Sequence, residues 1–153
     1  MRHRRADWVG RMIVVAALLS ACGDAAIEAD PGLAPFVGDW VATELIVASP
    51  VAPDATLELI GLGSTFTINI QPSGLYTAIL VFAGQGQTEI GQVSVSGGST
   101  VILDREFPTP SREISTFAFE HADCFILEGD TEFDFNLDGT PEPALVRFVL
   151  ERR

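Results

Sequence analysis

The chain has 153 residues, with 9 basic and 21 acidic side chains and a net charge of −12 at neutral pH. That length suits one domain with a sizeable core and is short for two. From residue 22 onward the chain holds 5 basic and 20 acidic side chains, a net charge of −15, and it contains no lysine. Because so negative a surface repels phosphate groups, the charge excludes nucleic acids and basic-patch membrane binding.

The first 21 residues have the pattern of an export signal. Arginines at positions 2, 4, 5 and 11 flank or precede the short apolar run Met12–Leu19. This run cannot span a bilayer core of ~30 Å, which needs ~20 helical residues. It ends in Leu19–Cys22, which resembles a bacterial lipobox. That resemblance implies a lipoprotein signal peptide over 1–21 and lipidation of Cys22 with diacylglycerol and palmitate; the alternative is an ordinary secretory signal with a chance cysteine.

A lipid on Cys22 would anchor the chain to a membrane of the bacterial cell envelope, with its domain facing the periplasm or the exterior. Cys124 would then be the one thiol of the mature chain, so an internal disulfide is excluded. Residues 22–35 combine small, acidic, proline and glycine residues without a period. This composition indicates a flexible tether between the lipid and the domain.

Turn signals recur every 8 to 14 residues from Phe36 onward, the spacing of an all-β sandwich or barrel. The connections are mostly short and carry no helical pattern, so neighbouring strands should be antiparallel. The exception is a long, apolar connection at 50–63. We predict eight strands, over 36–49, 64–71, 75–83, 87–96, 99–107, 112–121, 124–135 and 144–152.

The period-two patterns of the last two predicted strands favour a barrel. Phe125, Leu127 and Phe133 share one face of their strand, whereas its acidic residues share the other face. We therefore predict an eight-stranded antiparallel up-and-down meander β-barrel over 36–153, in which the first and last strands pair. A closed sheet has no free edges, and we expect a monomer.

Gly38, Asp39 and Trp40 open the first strand, and Arg152 stands near the end of the last one. With eight meandering strands, these residues resemble the calycin superfamily, and small bacterial lipocalin-like domains in particular. Shorter likenesses occur at 72–76, 90–93 and 138–140. The resemblance implies that Trp40 packs at the closed end of the barrel with Arg152 across its ring, a cation–π contact worth ~0.5–2 kcal/mol.

The lumen of the predicted barrel is the first candidate site. An aromatic-lined cup would bind a small apolar molecule, with the apolar loop Leu57–Leu62 as a lid at its mouth. The alternative is that the rings simply fill an eight-stranded interior, which is only just wide enough for side chains or one small ligand. The residues expected to point inward are Phe66, Tyr76, Phe82, Phe117, Phe119, Phe125, Phe133 and Phe148.

A second candidate site is the polar segment 134–142. Its alternating oxygen-bearing side chains and its glycine resemble the opening of a calcium loop. The position that an EF-hand fills with a bidentate glutamate holds Leu145, and strands rather than helices flank the segment. The alternative is a hairpin whose Asn, Asp and Gly residues accommodate the turn. The candidate ligands of a calcium ion are Asp134, Asn136, Asp138, Thr140 and Glu142.

No group of residues supplies the nucleophile, base and oxyanion donors that an enzyme needs. His121 and Cys124 lie close in the sequence, but no second histidine follows residue 22, and no serine stands in a Gly-x-Ser-x-Gly motif. We therefore expect no catalytic residues and a non-enzymatic protein that binds a small hydrophobic ligand. The alternatives are a structural or interaction barrel with a filled core, which calcium could stabilise at 134–142, and a periplasmic inhibitor.

Overall fold

The computed structural model describes residues 30–52 and 54–153. The predicted signal segment, Cys22 and residues 22–29 of the predicted tether lie outside this range. A 3₁₀ turn, Ala34–Phe36, precedes the strands. Within the described ranges there are nine strands: β1 Gly38–Ala48, β2 Thr56–Glu58, β3 Thr65–Ile70, β4 Leu75–Phe82, β5 Gln85–Ser96, β6 Thr100–Phe107, β7 Ser111–His121, β8 Cys124–Phe133 and β9 Glu142–Arg152.

Eight of the strands close a barrel. Each strand from β3 to β8 pairs antiparallel with the strand that follows it in the chain. Strand β1 pairs with β3 on one side and with β9 on the other. The contact between β1 and β9 runs from Trp40 opposite Arg152 to Ala48 opposite Leu145. The predicted antiparallel meander barrel, closed by its first and last strands, is therefore confirmed.

The predicted strand bounds agree with the structure to within two residues. The short strand β2 was not predicted; it lies in the connection 50–63 and pairs with the end of β1. The link before β5 is also tighter than predicted, since β5 begins at Gln85. Ala83 and Gly84 both have positive φ there, 49° and 76°, as a two-residue hairpin turn requires.

The sheet closes because its strands alternate between an apolar inner face and a polar outer face. On β4, for example, Tyr76 and Ala78 are buried while Ile79 on the opposite face is 43% exposed. A register shift between Ala42 and Glu44 in β1 moves Leu45 and Val47 onto the inner face, where both are buried. The bulge thus lets one strand contribute to both ends of the core.

Aromatic rings close the lower end of the barrel, where β1 begins and β9 ends. Phe36 is 2% exposed, and its ring centroid lies 4.8 Å from that of Phe117 and 5.0 Å from that of Phe119. Trp40 is 1% exposed, stands edge-on to Phe125 at 4.7 Å, and donates its indole N–H to the carbonyl of Phe36 at 2.7 Å. Leu33, from the end of the predicted tether, is also buried in this cluster.

Arg152 holds the lower end together. Its guanidinium carbon lies 4.2 Å from the centroid of the Trp40 ring. The guanidinium donates to the carbonyls of Val37 at 2.7 Å and Pro35 at 3.0 Å, and to the Asp123 carboxylate at 2.9 Å. A Cβ on Gly38, whose φ is 134°, would lie 2.6 Å from Nη1 of Arg152. A glycine is therefore needed beside the arginine.

Replacement of Trp40 by alanine should lower the free energy of unfolding by ~3–5 kcal/mol, because it leaves a large cavity among the rings of the lower end. Urea unfolding followed by circular dichroism measures this change. The control is Phe107→Ala, which truncates a ring that is 53% exposed and should cost less than ~1 kcal/mol. A loss below ~1 kcal/mol for Trp40→Ala would contradict the role given to this tryptophan.

Candidate functional site

The interior of the barrel contains a cavity of about 200 Å³. One part of its wall is apolar and is formed mainly by Phe66 and Ile68 on β3, Leu127 on β8, and Val146 and Phe148 on β9. The rings of Phe66 and Phe148 lie 4.7 Å apart. The cavity is smaller than the ~300–1,000 Å³ of drug-sized ligand pockets, so its size suits a small molecule.

The eight side chains predicted to line the lumen separate into three groups. Phe66, Tyr76, Phe125 and Phe148 line the cavity. Phe117 and Phe119 pack around Phe36 at the lower end. Phe82 and Phe133 pack against each other at the upper end, with centroids 5.8 Å apart. Aromatic rings thus fill both ends of the interior and leave space between them.

The connection between β2 and β3 covers part of the upper end. Leu59 is 3% exposed and packs in one cluster with Leu45 and Val47, and Ile60 and Leu57 pack against the same cluster. Leu62, by contrast, is 68% exposed. The predicted lid segment therefore lies against the barrel through its first four residues, while its last residue points to solvent.

Glu58 gives this covering segment its shape. Its carboxylate accepts hydrogen bonds from the backbone N–H groups of Gly61, Leu45 and Ile60. These hydrogen bonds, led by the one from Gly61, lower the pKa of the exposed Glu58 carboxyl below its usual value. One side chain therefore ties the segment both to β1 and to its own turn.

The cavity wall also carries a group of polar side chains among its apolar ones, and the sequence pattern had not predicted them. Arg105 on β6 lies 2.7 Å from Glu89 on β5 and 3.4 Å from Glu113 on β7, measured from Nη1 to Oε1 in both cases. Its Nε donates to the carbonyl of Thr109 at 3.0 Å. Tyr76 on β4 completes this group. We call Tyr76, Glu89, Arg105 and Glu113 the lumen polar cluster.

The inward position of Arg105 and Glu113 follows from the period-two alternation of β6 and β7. Arg105 shares its face of β6 with Val101, which is buried, and Glu113 shares its face of β7 with the buried Ser115. Strands β5, β6 and β7 lie opposite β9, β1 and β3 in the closed order of the barrel. Reading the period-two pattern of β6 and β7 would have placed these charges inside.

Burial changes the protonation behaviour of the cluster. Partial desolvation, followed by the neighbouring charge of Glu89, raises the pKa of the Glu113 carboxyl above its usual value. For Arg105 desolvation opposes the charged form, but the hydrogen bond to Glu89 and the nearby carboxylates outweigh it, so the pKa of Arg105 is raised. Desolvation, with smaller effects of Glu89 and Glu113, raises the pKa of Tyr76 to about 12.

The candidate calcium loop is held by hydrogen bonds within itself. Asp134 accepts hydrogen bonds from the backbone N–H groups of Asp138 at 3.1 Å and Gly139 at 2.8 Å. Asn136 Oδ1 also accepts from Asp138 N–H, and Glu142 accepts from the Asn136 side-chain amide at 3.0 Å. Asp138 accepts from the N–H of Thr140 at 2.8 Å.

Such side-chain-to-backbone bonds are what Asn and Asp form in turns without any ion. Within residues 30–52 and 54–153, no group of three or more His, Cys, Asp or Glu residues is arranged to hold a metal ion. Calcium binding at 134–142 stays a prediction.

No family model and no curated protein matches this sequence. In the part of the chain that the structure describes, no helix is long and apolar enough to cross a membrane. The class of the protein therefore rests on the fold itself: a closed, eight-stranded, antiparallel up-and-down β-barrel with a small internal cavity.

Tyr76 provides a direct test of the cavity wall, since it is the single tyrosine of the chain. Near-ultraviolet absorbance should show Tyr76 ionising near the raised pKa of about 12 rather than at its ordinary value of 10.0. Because the folded state holds the proton more tightly, stability is complete below pH ~10 and falls as the pH rises towards 12.

At pH 11 this difference should cost roughly 1 kcal/mol in the free energy of unfolding. Tyr76→Phe should lack this part of the alkaline loss, so wild type and variant should be compared by urea unfolding at pH 8 and pH 11. An ordinary tyrosine titration in the folded protein would contradict the buried position of the hydroxyl.

Proposed function

We propose that this protein is a lipid-anchored protein of the bacterial cell envelope whose barrel binds one small hydrophobic molecule, without catalysis. The observation that supports ligand binding is the cavity of about 200 Å³ between two ring-filled ends of the barrel. Apolar side chains from β3, β8 and β9 line one side of it, as is usual for small-molecule sites. The covering segment at 59–62 limits access to this space.

We also propose that the barrel belongs with the lipocalin-like domains of the calycin superfamily. Support comes from the meander order of the strands and from the glycine, tryptophan and arginine at the lower end. Arg152 lies across the Trp40 ring, and Gly38 leaves room for the guanidinium. This arrangement is the one that the sequence resemblance implies for the closed end of such a barrel.

A second candidate function is a structural or interaction barrel with a filled core. The packing of both ends favours it, because Phe36, Phe117 and Phe119 fill the lower end and Phe82 and Phe133 meet at the upper end. Under this alternative the remaining cavity would be a packing defect rather than a binding site. The two functions differ in whether the cavity is occupied in the cell.

Native mass spectrometry of the protein purified from a bacterial envelope should detect an added small organic molecule. Leu127→Phe narrows the cavity and should reduce the fraction of protein that carries the molecule. The control Ile79→Phe adds the same ring on the outer face of β4, where residue 79 is 43% exposed. This control should carry the molecule to the same extent as the wild type. The bare polypeptide mass in wild type and control would favour the filled-core function. Loss of one calcium mass on adding chelator would instead support an ion at 134–142.

Cys22→Ser should release the protein from the membrane fraction, because it removes the thiol that carries the proposed lipid. The matched control is Cys124→Ser, which removes the other cysteine after the signal segment and should leave membrane association unchanged. Fractionation by sedimentation followed by immunoblotting measures both. Continued sedimentation of Cys22→Ser with the membranes would contradict lipidation at this position.

A further inference from the structure

The lumen polar cluster carries more negative than positive charge on the wall of the cavity. Glu89 and Glu113 each carry one carboxylate, and Arg105 supplies a single guanidinium between them. The Arg105 side chain is 23% exposed, and those of Glu89 and Glu113 are 35% and 44% exposed. Because Arg105 offsets one of the two carboxylate charges, the cluster places a net charge of about −1 on the cavity wall.

The Tyr76 hydroxyl is a second polar group without a partner. Tyr76 is 2% exposed and lines the cavity. Its phenol forms no hydrogen bond with any residue of the described ranges 30–52 and 54–153. No fully enclosed side-chain oxygen or nitrogen of the described residues lacks a partner, so the Tyr76 oxygen is reached from the cavity and is available to a ligand.

The rings of Phe66 and Phe148 and the lumen polar cluster lie on different sides of the cavity. Phe66 and Phe148 lie on strands that are distant from β5 and β6 in the barrel order, while Glu89 and Arg105 lie on those two strands. A molecule that fills the cavity would therefore touch rings with one part and carboxylates with another. A purely apolar ligand would leave the Tyr76 hydroxyl without a partner and the second carboxylate charge uncompensated.

We propose that the ligand of the lumen is a small amphiphilic cation, an amine whose protonated head binds at Glu89, Glu113 and Tyr76 while its apolar body packs against Phe66 and Phe148. This inference rests on the proposed function and names the chemical class of its ligand. The ammonium group donates hydrogen bonds to the carboxylates and to the tyrosine oxygen, and it supplies the missing positive charge. An anionic head would meet two carboxylates and one guanidinium that is already paired with them.

The net negative charge of the chain also favours a cationic ligand. From residue 22 onward the net charge is −15, which raises the local concentration of cations and lowers that of anions near the surface. Asp130 also lines the cavity. The electrostatic field therefore favours entry of a cation before any contact with the polar cluster is made.

The test compares three probes that share one apolar body: 2-phenylethylamine, 2-phenylethanol and 3-phenylpropanoate. Isothermal titration calorimetry of the full chain in phosphatidylcholine nanodiscs, with empty nanodiscs as the blank, measures each affinity at neutral pH. We expect the amine to bind about tenfold or more tighter than the alcohol, the range for a hydrogen bond to a charged group, and the carboxylate to bind weakest.

Glu113→Gln should remove most of the preference for the amine, because it removes a charge and keeps the shape, and it should change the affinity for the alcohol much less. The matched control is Glu132→Gln on β8, an exposed acid outside the cluster, which should preserve the preference. Tyr76→Phe should also weaken binding of the amine more than binding of the alcohol. Circular dichroism of each variant reports whether the barrel is folded.

The possible results separate this inference from the proposed function. Equal binding of amine and alcohol, or tightest binding of the carboxylate, would overturn the cationic head while leaving ligand binding in the lumen intact. A preference for the amine that survives Glu113→Gln and Tyr76→Phe would place its recognition outside the lumen polar cluster and also overturn the inference. Failure of all three probes to bind would overturn the cationic ligand, whereas ligand binding as such is overturned by the bare polypeptide mass in native mass spectrometry.

Discussion

The barrel depends on Arg152, where the last strand meets the segment that leads into the first strand. The guanidinium covers the Trp40 ring and donates to carbonyls of Pro35 and Val37 and to Asp123 in the turn before β8. One side chain thus joins the segment before β1, the last strand and the β7–β8 turn. Closure by β1 and β9 pairs residues 97 to 112 positions apart, so local contacts cannot supply it. The contacts of Arg152 stabilise this long-range junction.

Closure of the lower end determines where an internal site can exist. Phe36 and Trp40 pack edge-on against rings from β7 and β8, and Phe36 borders the cavity from this end. At the upper end the covering segment and the ring pair of Phe82 and Phe133 limit the opening. The cavity lies between these two packed layers. Strands β5, β6 and β7 add Glu89, Arg105 and Glu113 to its otherwise largely apolar wall.

Much of the cavity lining could be predicted from the sequence, but its charged residues were not predicted. Four of the eight predicted lumen residues line the cavity, because strict alternation assigns one face of each strand to the interior. Glu89, Arg105 and Glu113 were left out, since a charged residue at an inward position is normally read as facing solvent. Their three strands are neighbours, and only that adjacency allows the charges to pair at 2.7 and 3.4 Å.

The sequence by itself determined the strands, their antiparallel order and the closure of the barrel. These features follow from period-two patterning, short turns and the matching apolar faces of the first and last strands. Only the tertiary structure decided that Leu33 and Phe36 belong to the core, that β2 extends the sheet, and that the Asp134 carboxylate accepts hydrogen bonds from its own loop. The physical reason is that alternation specifies which side of a strand a residue occupies, whereas spacing between strands, aromatic packing and charge pairing depend on contacts distant in the chain.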